Sequence, residues 1–331
     1  MRLTPITALL GVGASLLGQH VAARPSDGCE TNHAVALEQT YNVSIGDRRY
    51  LLWFPANYVP TRPAPLILSY HGGTRVAEEQ QRLDLLSTGY FNQDYIVVYP
   101  NGFNKTWEGI PDVETDDVDF TNSILDELEA QYCIDTERVY ATGKSQGGGF
   151  VGVLACDEEM SQRIAAFAPV SGAFYISEFG DVCEPETVPI SPCSPGRDDV
   201  PVLVFHGLVD DTIAYYGGPR KGGCLPSIPY WTRTWAGRDG LGAENETSAV
   251  PGALEGSTAV RYEFGEGAQK GLVTHIMDGT VSRNSEEASG GGDADCGCSD
   301  DRTSGTTGRA RLPIATTRRR GGTQPRSTPR S

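Results

Sequence analysis

Residues 138–156 read RVYATGKSQGGGFVGVLAC, and no other stretch constrains the chain as tightly. A β-rich segment runs into Gly143-Lys144-Ser145-Gln146-Gly147, and a glycine-led apolar segment leaves it as a helix. A strand that turns directly into a helix leaves no room for side chains beside the turning residue, so glycines flank Ser145. The pentapeptide alone is a weak signal, and its strand–turn–helix setting gives it weight. Other short apolar runs repeat the strand half of the pattern: 65–70 (PLILSY), 95–99 (YIVVY), 165–170 and 200–205 (VPVLVF). Continuous apolar runs of this length suit strands buried on both faces. Between them, 117–132 carries apolar residues at 118, 120, 124, 125 and 128, a helical spacing with acids near its start. Residues 44–55 read as one opening strand, and 271–277 (GLVTHIM) as a late one. Alternation of this kind predicts an α/β domain around one parallel sheet covered on both faces. No internal repeat is visible.

The two ends differ from this middle. Arg2, an apolar run at 9–17 and Val21-Ala22-Ala23 form a secretory signal over 1–23, although a buried first helix is the other reading. Secretion accounts for eight cysteines, at 29, 133, 156, 183, 193, 224, 296 and 298. The first six permit fifteen pairings. The expected set is Cys133–Cys156 across the Ser145 elbow, a local Cys183–Cys193 loop and Cys29–Cys224 by elimination. Cys296 and Cys298 are expected unpaired or scrambled, because so tight a ring is strained. No CxxC occurs, which argues against zinc. Asn42-Val-Ser, Asn104-Lys-Thr and Asn245-Glu-Thr are glycosylation sequons. Residues 280–331 contain no aromatic residue, and from Arg302 onward they hold eight arginines and no acid. Such a tail cannot offset its ordering entropy and is expected to be disordered. It reads as a basic arm for anionic polymers, as an unstructured extension, or as translation outside the true reading frame, and the last is favoured. The domain is therefore expected over 24–279.

The net charge of −16 and a pI near 4.7 exclude nucleic acid as the main partner. No apolar run reaches the length of a membrane span. A monomer without metal or organic cofactor is expected.

Two further motifs sit at strand ends. His71-Gly72-Gly73-Thr74 follows PLILSY, and its glycines let N–H groups approach a substrate oxygen. The N–H groups near Gly73 and at Gln146 can together form an oxyanion hole. His71 is expected to set the geometry of this loop. His206-Gly207-Leu208-Val209-Asp210-Asp211 ends the strand VPVLVF, at the sheet edge where catalytic groups gather. Ser145 followed by Asp210 fits a serine–acid–histidine order. Only His275 lies downstream of Asp210, and as a lone histidine in an apolar strand it reads better as structural.

The runs YHGGT, YPNG with Trp107, DDVDFT, YCIDTERVYATGKSQGGGF, LACD, APVSGAFY and HGLVDDTIAYYGG together resemble secreted fungal feruloyl esterases of the C/D type, which are related to polyhydroxybutyrate depolymerases. The resemblance covers roughly residues 28–279. It implies an α/β-hydrolase fold and cleavage of feruloyl esters on arabinose side chains of plant cell-wall xylan or pectin, with acetylxylan or hydroxyalkanoate esters as the neighbouring specificities. It also implies Ser145 as nucleophile and Asp210, ahead of Asp211, as the acid in an HGxxDxTIxY spacing. Trp107 could stack on the substrate or belong to the core. Such esterases continue after a segment like 271–279 into a GHxWP motif that supplies the catalytic histidine, whereas this chain reads TVSRNSEEASGGG. The base role is therefore not carried onto His275. A catalytically impaired, carbohydrate-binding relative of the esterases is the alternative that the missing histidine favours.

Overall fold

A computed structural model of the chain describes residues 23–31, 33–190, 192–250 and 258–279. The expected signal segment up to residue 22, the expected disordered tail and the Cys296/Cys298 pair lie outside the described residues.

The strands in chain order are β1 (Thr40–Ile45), β2 (Arg48–Trp53), β3 (Ala64–Tyr70), β4 (Ile96–Pro100), β5 (Ile134–Lys144), β6 (Ala166–Val170) and β7 (Val202–Gly207). After them come a small hairpin, β8 (Gly218–Arg220) with β9 (Gly223–Leu225), and then β10 (Asn245–Ala249), β11 (Val260–Phe264) and β12 (Val273–Asp278). The helices are α1 (Ala77–Asp84), α2 (Asp117–Gln131), α3 (Gln146–Cys156), the single turn α4 (Met160–Arg163) and α5 (Ile228–Arg238).

Ten strands form one sheet in the order β1-β2-β4-β3-β5-β6-β7-β12-β11-β10. The stretch from β4 to β12 is parallel throughout, as the apolar runs required, and antiparallel strands extend it at both ends. The single strand expected over 44–55 is instead the second half of a hairpin. Gly46-Asp47 turns the chain between Ile45 and Arg48, with Gly46 at φ +59° in the first turn position.

One face of the sheet carries the main core. Leu52, Leu66, Leu68, Val139, Phe167 and Val204 meet α2, α3 and α5 there, with Trp231 and Trp235 of α5 closing one flank. The other face is covered less evenly than the alternating pattern predicted. α1 shields Leu51, Trp53, Val97 and Tyr99. Farther along, Tyr140, Thr142, Ala166, Ala168 and Leu203 line an apolar cleft of about 560 Å³. Among the described residues no helix is long and apolar enough to cross a membrane.

The disulfides correct all three expected pairs: Cys29 bonds Cys133, Cys156 bonds Cys193, and Cys183 bonds Cys224. Each follows from a backbone approach that spacing cannot reveal. The N-terminal stretch runs along the start of β5, where the Ser26 N–H donates to Ile134 O and the Ser26 hydroxyl to Tyr132 O, so Cys29 reaches Cys133. Ser194 N–H donates to Cys156 O and brings Cys193 to the end of α3. Ile176 bridges Cys224 in β9, and Cys183 lies within that loop.

Candidate active site

Parallel strands end at one edge, and the candidate residues gather there. Gly72 and Gly73 follow β3, Ser145 follows β5 and Asp210 follows β7. Ser145 is half-buried and holds φ +58°, ψ −116°, a conformation an L-residue seldom adopts. Its backbone is pinned on both sides: the N–H donates to Val170 O at 3.0 Å, and the carbonyl accepts from Gly149 N–H at 2.9 Å and Ala173 N–H at 3.0 Å. The tight turn is possible because Gly147 has no side chain. A Cβ there would stand 2.3 Å from Tyr70 O and 2.6 Å from His71 O.

The β3 loop packs directly on this turn. A Cβ on Gly73 would lie 2.1 Å from Gln146 Oε1, and one on Gly72 would lie 3.7 Å from Ser145 Cβ. Thr74 spends its N–H on Lys105 O, while the Gly73 N–H makes no backbone hydrogen bond among the described residues. Gln146 opens α3, where the first N–H groups have no acceptor within the helix. The Gly72-Gly73 loop thus packs against Ser145 and the first residue of α3, and the helix N-terminus favours negative charge at the same point. This arrangement can hold an oxyanion.

His71 sets the loop, as expected. Its Nε2 accepts from Gly102 N–H at 3.0 Å, so Nδ1 carries the proton and donates to Gly72 O at 2.8 Å. Burial pushes its pKa below the usual histidine value. Trp107 proves to be core. It is fully buried, stacks on Phe150, meets Tyr70 edge-on, and donates its indole N–H to His71 O at 2.7 Å.

A buried ion pair supports this loop from below, and sequence reasoning missed it. Asp117 is fully buried and paired with Arg48 of β2, whose guanidinium lies 3.9 Å from the Phe120 ring centroid. Asp117 Oδ2 also accepts from Glu108 N–H at 2.7 Å and Thr115 Oγ at 2.6 Å, and Arg48 donates to Asn101 O at 3.2 Å. The segment carrying Gly102 and Trp107 is therefore tied at both ends to one charge pair. The DDVDF run held the signal, but read alone it signalled only acids at a helix start.

Asp210 sits in a turn that it stabilises itself. Its Oδ1 accepts from Thr212 N–H at 2.9 Å and Ile213 N–H at 2.8 Å. Its Oδ2 stands 3.7 Å from His206 Nε2, beyond hydrogen-bond reach, while Asp211 is exposed. With β6 between β5 and β7, the strand ends carrying Ser145 and Asp210 are on the order of 10 Å apart, room for an imidazole between them.

No described histidine fills that space. His206 donates from Nε2 to Ile213 O at 2.7 Å, and its buried Nδ1 has no partner among the described residues. His275 is buried in β12, donates from Nδ1 to Val204 O at 3.2 Å and accepts at Nε2 from Tyr215 OH at 3.0 Å. Burial lowers its pKa to about 4. His33 packs against Tyr132, beside the opposite end of β5. Residues 280–331 contain no histidine. Among the described residues no group of three or more metal-ligating side chains could hold a metal ion.

No protein-family model matches the chain. Feruloyl esterase D of Neurospora crassa is 30% identical over 246 residues, 68% of this chain and 77% of that protein. A probable feruloyl esterase C of Aspergillus oryzae is 28% identical over 234 residues, 68% of this chain and 78% of its own length. Feruloyl esterase B of Piromyces equi is 30% identical over 176 residues, but the chain spans only 31% of it. Among solved structures, the acetyl xylan esterase from Aspergillus awamori matches 73% of this chain and 93% of its own at a TM-score of 0.54 and 16% identity, which speaks to the fold alone. Sheet order, the strained strand-to-helix turn and the extent of the Neurospora match agree: this chain has the α/β-hydrolase fold and belongs to the feruloyl esterase family of carboxylic ester hydrolases.

Proposed function

We propose that the chain is built as a secreted serine esterase for feruloyl and related hydroxycinnamoyl esters on the arabinose side chains of plant cell-wall xylan or pectin. The observation that carries this reading is the Ser145 turn, strained at φ +58°, with the Gly73 loop packed on Gln146 beside it. In this reading Ser145 Oγ attacks the ester carbonyl, and the N–H groups of Gly73 and Gln146 receive the developing oxyanion. One such donor is typically worth about 3 kcal/mol. The sugar alcohol leaves, and water then hydrolyses the acyl-serine. Asp210 is the acid that would orient a histidine base.

The base is the part this chain does not supply: His71 and His275 spend both ring nitrogens on other partners, and His206 is buried with its Nε2 held by Ile213 O and 3.7 Å from Asp210 Oδ2. Turnover by the chain as written is therefore expected to be low, resting on the oxyanion site and substrate binding. Acetyl esters of xylan are the second substrate reading. It is favoured by a bifunctional acetylxylan esterase/xylanase of Neocallimastix patriciarum that is 32% identical over 167 residues, half of this chain and 22% of that protein.

The test is hydrolysis of methyl ferulate against acetylated xylan, with Ser145→Ala beside the unaltered protein. Loss of all turnover in the variant, with a preference for the ferulate, supports the reading. Turnover that survives Ser145→Ala would remove Ser145 from the chemistry, and a preference for acetyl groups would replace the substrate.

A further inference from the structure

Among the described residues the ten-stranded sheet ends at β1 on one side and at β10 on the other. An edge strand presents unpaired backbone N–H and C=O groups to any other strand, and proteins blunt such edges with lysine, proline, bulges or cover. Among the described residues, β1 carries none of these devices and β10 carries a single charge. β1 (TYNVSI) contains no charge and no proline, and it pairs with β2 without a bulge. β10 (NETSA) is exposed along its whole length, and its one charge, Glu246, is held by Lys270 at 2.5 Å. What both edges do carry is a sequon. Asn42-Val-Ser lies in β1 and Asn245-Glu-Thr opens β10, and Asn42, Ser44, Asn245 and Thr247 are all exposed.

We propose that Asn42 and Asn245 carry N-linked glycans that shield the two edges of the sheet from pairing with other chains. This rests on the reading that the chain enters the secretory route, which the three disulfides favour. The donor is an oligosaccharide linked to a polyprenyl diphosphate. The asparagine side-chain nitrogen bonds the anomeric carbon of the first N-acetylglucosamine, and the bond from that carbon to the diphosphate oxygen breaks. The electron pair leaves with the polyprenyl diphosphate, and the nitrogen gives up one proton. Transfer occurs on the chain before it folds, so a position inside a strand is no obstacle. A bulky, hydrated glycan on an outward-facing edge residue then blocks approach along the strand. The third sequon, at Asn104, stands in the loop near Gln146, away from either edge, and serves as the internal control.

The experiment expresses the full chain in a eukaryotic secretory host, once with its own N-terminus and once behind the host's leader. A chain that leaves the cell only behind the host's leader counts against the secretion reading, while the sites are still scored on the exported protein. Glycopeptide mapping is expected to find Asn42 and Asn245 occupied. Ser44→Ala with Thr247→Ala removes both glycans and is expected to raise light scattering several-fold on incubation at 37 °C. Asn104→Asp should leave scattering unchanged. Asn42→Lys with Asn245→Lys also removes both glycans but charges the edges, and should stay as monodisperse as the glycosylated protein. Bare Asn42 and Asn245 in the exported protein would overturn the proposal. So would unchanged scattering on loss of both glycans, or an equal rise on loss of the Asn104 glycan.

Discussion

Replacing Asp117 by leucine removes one half of a charge pair whose guanidinium partner, Arg48, is only 8% exposed. What remains is a buried cation whose other carboxylate, Asp116, is 73% exposed, together with the Glu108 N–H and the Thr115 hydroxyl stripped of their acceptor. Breaking a buried pair from one side typically costs about 3–5 kcal/mol. For a domain of this size that lowers the melting temperature by roughly 10 °C. Arg48→Met should cost about 3 kcal/mol, since Asp117 keeps Thr115 and Glu108 as donors but loses its counter-charge. The two changes together leave no buried charge, so the double variant should lose less than the sum of the single losses, with a coupling of about 2–3 kcal/mol. Urea unfolding of the four proteins gives the cycle. Tryptophan emission should shift to the red in Asp117→Leu, because the segment that buries Trp107 loses an anchor. Single variants within about 1 kcal/mol of the parent, or a double variant that sums their losses, would refute the account of this pair as the support of the β3 loop.

Three further outcomes follow from the same geometry. Loss of Cys29–Cys133, which closes a separation of 104 residues, should cost more than loss of Cys156–Cys193 at 37, about 4.7 against 3.8 kcal/mol in the chain-entropy picture, and a reversed order in urea unfolding would contradict it. Asp239 is buried, its Oδ2 has no partner, and burial raises its pKa to about 6, so the folded state holds this proton more tightly than the unfolded state; its penalty grows as pH rises from about 4 and is complete above about 6. Asp239→Asn should therefore stabilise by about 1–2 kcal/mol at pH 8 and add little at pH 4, and an equal gain at both values would refute the burial cause. Finally, a Gly-His-x-Trp-Pro segment grafted after Gly279 should raise methyl ferulate turnover by about 10³-fold or more, whereas His275→Ala in the ungrafted chain should not reduce it.

Much of the fold could be read from the residues because the parallel strands are buried on both faces. PLILSY and YIVVY had no alternative as apolar runs of that length, and both became central strands. The failures have particular causes. Gly46-Asp47 splits the opening strand, a turn that the neighbouring apolar run concealed. α5, IPYWTRTWAGR, is poor in strong helix formers, yet its start was marked: the Ser227 side chain accepts from Tyr230 N–H and proline occupies the first turn. β10 shows no hydrophobic alternation because all five of its residues are exposed, and only its pairing with β11 defines it. The disulfides escaped for a deeper reason, since each joins segments that only the folded backbone brings together. The strand-to-helix turn at Ser145 and the glycine loop packed on it were legible because strand, glycines and serine are contiguous motifs. Its support was not, because Arg48 and Asp117 are 69 residues apart.

In the proposed reading, the register of β12 explains why no described strand supplies the base. Asp278 is level with Gly207, and the Leu208 N–H donates to Asp278 O at 2.8 Å, so β12 and β7 reach the active edge together. Asp210 stands two residues beyond Leu208, which makes the stretch right after Gly279 the natural place for a histidine that must touch both Asp210 and Ser145. His275 enters three residues too early, level with Val204, where the sheet surrounds it and Tyr215 occupies its one lone pair. Shifting it toward the edge by one residue would turn it to the other face, and by two would break its bond to Val204 O. In the proposed reading, Ser145, the Gly73 and Gln146 N–H groups and Asp210 are thus held by strands that end at one edge, while the base depends on the residues that follow Gly279. The TVSRNSEEASGGG that follows offers hydroxyls, carboxylates and a guanidinium but no imidazole, and none of these both accepts a serine proton near pH 7 and hands it on to the leaving alcohol.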